Sequence, residues 1–117
     1  MSYYTVGAAP NRQLVVQWTN WGFFSSALNE ASFQIRLYET TNLVQVVYGN
    51  CPGTTAANPQ VGLSGTTNAD FNDRTTTTDW SATTAGPANT SNCTFFAPTV
   101  PASGQTYTWT PALPPND

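Results

Sequence analysis

Apolar and polar positions alternate in several short stretches of this chain, and no 3.6-residue apolar period persists over ten residues. Residues 13–18 place Leu14, Val16 and Trp18 on one face of an extended segment. Residues 33–38 alternate more strictly, with Phe33, Ile35 and Leu37 facing inward and Gln34, Arg36 and Tyr38 outward. Residues 43–48 form a run rich in β-branched side chains and read as the hairpin partner of that strand. Thr40-Thr41-Asn42 suits a three-residue connection, with Asn42 tolerating the left-handed conformation that closes it. Further strands are predicted at 60–64, 75–80, 93–96 and 106–110, with an early one at 3–6. Turn-formers separate them: Asn50-Cys51-Pro52-Gly53, Asn58-Pro59, Gly65, Gly86-Pro87, Pro98 and Pro101-Ala102-Ser103-Gly104. Seven or eight short, mostly antiparallel strands with such turns predict an all-β fold, a β-sandwich or jelly roll, with no helix of consequence.

The 117 residues fit one domain, which buries roughly two thirds of the surface its unfolded chain exposes. The organisation expected is an N-terminal segment at 1–10, a sandwich at 11–110 and a Pro-rich tail at 111–117. Composition changes the picture in one respect. Only 8% of residues are charged, against roughly 25% in ordinary soluble proteins. There is no Lys and no His, and Arg12, Arg36 and Arg74 are the only basic side chains. The 13% of aromatic residues, four Trp among them, separates this chain from disordered sequences. A net charge of −3 with scattered Arg argues against nucleic acid and against anionic membrane surfaces. No apolar run approaches the eighteen or so residues of a membrane span. Met1-Ser2-Tyr3-Tyr4 lacks the basic and apolar regions of a signal peptide, so a mature or excised portion of a secreted protein is expected. Cys51 and Cys93 lie in no metal-binding pattern. Low charge and abundant Thr point outside the cell, where a disulfide between them would contribute roughly 4 kcal/mol; two free buried thiols are the alternative.

Candidate chemistry is sparse. Without His or Lys, triads, thiol–imidazole pairs and Schiff bases are excluded. The carboxylates Glu30, Glu39, Asp70, Asp73 and Asp79 fall in no pattern that demands proximity, so a non-catalytic protein with no catalytic cofactor is expected. Asn68, Asp70, Asn72 and Asp79 match positions 1, 3, 5 and 12 of a calcium loop. Asp73 stands where that loop needs glycine, and an Asx-rich turn explains the same residues. Trp21, Phe23 and Phe24 share a Gly-containing loop and form the candidate binding set for sugar or protein. Asn89 and Asn92 each open an Asn-x-Ser/Thr sequon.

Asn11 to Trp18, Asn-Arg-Gln-Leu-Val-Val-Gln-Trp, and Phe33 to Asn42, Phe-Gln-Ile-Arg-Leu-Tyr-Glu-Thr-Thr-Asn, resemble a β-sandwich domain recurrent in large secreted and surface proteins of environmental bacteria. Gln60 to Gly65, Asn68 to Arg74 and Gly104 to Pro111 fit the same pattern, so the resemblance spans nearly the whole chain. It implies a non-catalytic module related to protomers of extracellular bacterial filaments. The function expected is an extracellular or cell-surface structural protomer that assembles with itself or with other surface proteins. Tyr3, Tyr4 and Val6 of the N-terminal segment are the candidate assembly residues, because edges without Lys invite strand pairing. The alternative is a carbohydrate-binding or adhesion module that uses the loop aromatics, with glycans as partners. Neither reading involves nucleic acid or membrane insertion.

Overall fold

The computed structural model describes residues 1–24 and 26–112. In chain order the strands among them are β1 (Ser2–Val6), β2 (Gln13–Trp21), β3 (Ala31–Tyr38), β4 (Val44–Tyr48), β5 (Val61–Ser64), β6 (Phe71–Thr75), β7 (Thr84–Ala85) and β8 (Thr106–Trp109). A single 3-10 turn at Trp80–Ala82 precedes β7. The strands form two antiparallel sheets, ordered β1-β2-β3-β4-β8 and β5-β6-β7. The all-β, two-sheet expectation therefore holds. The β3–β4 hairpin closes as expected, with Asn42 at φ 55° and Thr40 also left-handed at φ 70°.

Strand register sorts the side chains of the larger sheet into two faces. Tyr3, Val16, Ile35, Val46 and Tyr107 lie in one cross-strand row, and Thr5, Leu14, Leu37, Val44 and Trp109 in the next. Both rows face the smaller sheet. The opposite face carries Ser2, Gln17, Gln34, Val47 and Thr106 in one row and Tyr4, Val15, Arg36, Gln45 and Thr108 in another. On this outer face the polar groups bond one another. Gln34 Nε2 donates to Gln17 Oε1 at 2.7 Å and to Tyr4 Oη at 3.4 Å, Arg36 Nε donates to Gln34 Oε1 at 2.9 Å, and Gln45 Nε2 donates to Thr108 Oγ1 at 3.0 Å. Val15 is buried in this face, within the row that holds Tyr4 and Arg36.

The core lies between the sheets and is largely aromatic. Trp80, Tyr48, Phe95, Tyr107 and Trp109 are all buried in it, with Val61 contributed by β5. Trp80 packs edge-on against Tyr48 and Phe95 and stacks with Tyr107. Its indole N–H donates to Thr94 O at 2.9 Å, and its own carbonyl accepts the Tyr107 hydroxyl. Trp109 Nε1 donates across to Asn72 O at 2.9 Å, which ties β8 to β6. Both tryptophans thereby satisfy the polar end that burial would otherwise leave unpaired. Burial pushes the Tyr107 hydroxyl up to about 12 and holds it as a donor at neutral pH.

Three expectations are corrected. Residues 75–80 do not form a strand, because β6 ends at Thr75 and the chain turns. Thr76 Oγ1 accepts the N–H groups of Thr78 and Asp79, and Asp79 caps the 3-10 turn, so local hydroxyl and carboxylate acceptors replace a sheet partner. Residues 93–96 reduce to isolated bridges, Thr76 with Cys93, Ala57 with Phe95 and Phe96 with Thr99. The two cysteines are buried free thiols rather than a disulfide. Each is engaged with a different sheet: the Cys51 thiol donates to Ser32 O of β3 at 3.8 Å and the Cys93 thiol to Arg74 O of β6 at 3.5 Å. Burial raises both thiol pKa values, which keeps them protonated and unreactive.

This packing separates two classes of inward-facing residue. Trp80→Ala should cost roughly 3–5 kcal/mol in urea denaturation, as expected for a large aromatic removed from a closed core. Leu37→Ala, also on the inward face, should cost under about 1 kcal/mol because its side chain is already partly in water. Comparable losses for the two would contradict the arrangement.

Candidate functional site

The smaller sheet covers only part of the larger one. Along the first inward row, exposure falls from 75% at Tyr3 to 9% at Tyr107. Along the second it falls from 38% and 42% at Leu14 and Leu37 to 6% at Trp109. The β4–β8 half is closed and the β1–β2 half is open. The reason is the length of the covering layer: β7 has two residues and β5 four, too little strand to roof five. An apolar face is therefore left towards solvent where most soluble domains would cover it.

Beside that face runs β1. All five of its residues are exposed, and it pairs with β2 on one side only. Its outer edge thus presents unpaired N–H and C=O groups, with no charged side chain, proline or bulge to blunt them. The three candidate assembly residues divide between its faces. Tyr3 lies on the open inward face, and Tyr4 and Val6 lie on the outer one. An ion pair fixes the far end of this hairpin. Arg12 Nε donates to Glu39 Oε2 at 2.8 Å, its terminal nitrogen donates to Oε1 at 2.7 Å, and its backbone N–H donates to Oε2 at 3.1 Å. The Glu39 N–H returns to Arg12 O at 2.8 Å, and the Thr40 hydroxyl bonds Pro10 O. This bidentate clasp ties the β1–β2 loop to the β3–β4 turn.

The loop aromatics separate. Trp21 closes β2 and is half exposed, and Phe24 is fully exposed. Phe23 instead tucks against Phe95, ring centroids 5.4 Å apart and edge-on. Trp21, Phe23, Phe33, Ile35 and Gln60 line an apolar cleft of about 220 Å³ at the mouth between the sheets. The far side of the loop is held by Glu30, a fully buried carboxylate that accepts the Thr54 N–H at 2.7 Å and its hydroxyl at 2.8 Å. Bonds from the hydroxyls of Thr55 and Thr54 hold its carboxyl below the usual range despite burial. Period-two reading could not find this anchor, since Glu30 lies outside any alternating run.

The calcium-loop residues are not gathered. Asn68 and Asp70 belong to the β5–β6 turn, closed by Gly65 N–H to Asp70 O at 2.7 Å, and Asn72 lies in β6. Asp79 stands beyond the far end of β6, where its Oδ1 accepts Ser81 N–H at 2.8 Å and the Ser81 hydroxyl at 2.7 Å. An extended strand between the two acids holds apart ligands that a calcium loop would curl together. Of the sequons, Asn92 is exposed and Asn89 half-buried.

Residues 1–111 match the family model described as NIDO related, an extracellular-type domain family. No match was found among curated proteins or among solved structures.

The clasp generates a pH dependence. The Arg12 guanidinium bonded to Glu39 holds that carboxyl at about 2, against an ordinary 4.5. A depressed carboxyl contributes stability that is present above about 4.5 and is lost as pH falls through about 2. Melting temperature followed from neutral pH down to pH 2 should therefore fall less steeply for Glu39→Gln than for the parent in that window. Added salt should shrink the difference, because the pair is solvent-exposed. Identical pH profiles would show that the clasp contributes nothing.

Proposed function

The chain belongs to the NIDO-related family, and we propose that it is a non-catalytic, extracellular structural module: a β-sandwich protomer of a bacterial surface filament or appendage that assembles through strand contacts between subunits. The observation that carries the reading is the coincidence of the open inward face with the unblunted edge of β1. The larger sheet is antiparallel throughout, so β1 and β8, its two edges, run in the same direction. A neighbour's β8 added to β1 by simple translation would make a parallel pair and continue the sheet. It would also bring the neighbour's covered half beside this subunit's open half, giving Tyr3, Leu14 and Leu37 an apolar roof. Such a contact is head-to-tail and propagates where the rotation does not close.

Deleting residues 1–6 should leave a folded domain that no longer polymerises, seen by sedimentation and electron microscopy of full-length and truncated chains. Assembly of the truncated chain equal to that of the full one, or a full-length chain that stays monomeric at high concentration, would overturn the reading.

A second reading, a glycan-binding or adhesion module, is favoured by one observation: half-exposed Trp21 stands at the cleft mouth beside Gln60, with exposed Phe24 in the same loop. Trp21→Ala should then weaken binding to a glycan array while the circular dichroism spectrum is unchanged. Unchanged glycan binding, or unfolding, would remove this reading.

A further inference from the structure

Asp73 is the anomaly of the second sheet. It is 5% exposed, and neither carboxylate oxygen has a hydrogen-bond partner among the described residues. It sits mid-β6, opposite Gly62 on β5. Its strand neighbour Arg74, opposite the buried Val61, sends its side chain to Thr83, with Nε 3.0 Å from Thr83 Oγ1. By alternation Asp73 points to the other face, away from the aromatic core. There it meets the segment 86–91, whose first N–H, from Gly86, donates to Asp73 O at 3.0 Å.

Two glycines pack against Asp73, Gly62 on its Cα and Cβ and Gly86 on its carboxylate. A β-carbon at Gly62 would lie 2.5 Å from Asp73 Cα and 2.6 Å from its Cβ. One at Gly86 would collide with Asp73 Oδ1 and lie 2.7 Å from Ser91 Oγ. The carboxylate and the Ser91 side chain thus both press against Gly86, where only glycine fits. The segment is folded over that point by its own bonds, Ser91 N–H to Ala88 O at 2.9 Å and Ala88 N–H to Ser91 Oγ at 3.1 Å.

A carboxylate held away from water needs a counter-charge or hydrogen-bond donors. The chain has no Lys. Arg12 is engaged with Glu39, Arg74 with Thr83, and Arg36 with Gln34 on the outer face of the other sheet. The counter-charge therefore comes from outside the chain, and the side-chain groups that meet here, the Asp73 carboxylate and the Ser91 hydroxyl, are both hard oxygen donors. That donor set suits Ca2+ and excludes softer metals that seek nitrogen or sulfur.

We propose that Asp73, with Ser91 Oγ, binds a calcium ion that pins the segment 86–91 to the outer face of the β5–β6–β7 sheet. The site uses none of Asn68, Asp70, Asn72 and Asp79. With one carboxylate its affinity belongs to the weak extracellular class, a Kd of about 10⁻⁴–10⁻³ M.

The test is calorimetric titration of the full chain with CaCl2, together with melting temperatures in CaCl2 and in EDTA. Calcium should bind in that range and raise the melting temperature, and MgCl2 should not substitute. Asp73→Asn should abolish both effects. Ser91→Ala should weaken binding several-fold with the fold retained, which keeps the proposal testable if Asp73→Asn does not fold. Asp70→Asn and Asp79→Asn should bind as the parent does. The proposal is overturned if the parent shows neither heat nor thermal shift, if Asp73→Asn binds unchanged, or if Asp70→Asn or Asp79→Asn abolishes binding. An Asp73→Asn variant more stable than a calcium-insensitive parent would show a buried acid carried without any ion.

Discussion

Trp80 is the contact on which the two-layer arrangement turns. Its ring meets Tyr48 of β4, Tyr107 of β8 and Phe95 of the bridging segment, while its N–H and carbonyl are bonded to Thr94 and Tyr107. A short 3-10 turn thereby reaches across the sandwich and holds both sheets and the irregular chain between them. An aromatic that buries its surface and satisfies its polar end at once stabilises more than its area suggests. The same contact dictates where the smaller sheet sits. Because Trp80 is anchored to β4 and β8, the covering layer lies over that half, and β1 and β2 are left beyond its reach.

That off-centre placement makes the open face a consequence of the fold rather than a defect of one strand. Leu14 and Leu37 occupy inward positions by register and are nonetheless exposed, while in the same row Val44 is partly buried against the core and Trp109 is buried. On the other face of the larger sheet, the amides of Gln17, Gln34 and Gln45, the Arg36 guanidinium and the Tyr4 and Thr108 hydroxyls bond one another. That face is already satisfied. The inward β1–β2 half has no equivalent, so a partner has more to gain there.

How much of this was readable before the structure depended on which physical signal each residue carries. Period-two alternation gave the correct faces for Leu14, Val16, Phe33, Ile35 and Leu37, and the Thr40 to Asn42 connection, because pleat and turn chemistry are local. It could not give their burial, which depends on a second sheet far along the chain. The sequence of residues 75–80 predicts a strand that ends at Trp80; Thr76 and Asp79, whose side chains bond nearby backbone, turn the chain instead. Cys51 and Cys93 read as a disulfide from composition alone, yet each is committed to a different strand's carbonyl. Trp21 and Phe24 were legible as exposed, whereas Phe23 differed because Phe95, which it meets, is remote in sequence. In the sequence Asp73 is one of several scattered carboxylates and the residue that spoils a calcium-loop pattern, since neither Gly62 nor Gly86 is near it along the chain.

The scarcity of positive charge links the two proposals. Six carboxylates and three guanidiniums leave a surplus that the fold must place without ion pairs. Glu39 takes the only partner among the described residues, Glu30 is held by threonine hydroxyls and Asp79 by a turn it caps. Asp73 is left with none of these solutions. The absence of Lys that leaves it uncountered is also what leaves the β1 edge unblunted, because edge lysines are the usual guard against strand pairing. A chain poor in cations is thus expected to draw in both an ion and a neighbour. The two events act on opposite sheets, so disrupting one tests nothing about the other.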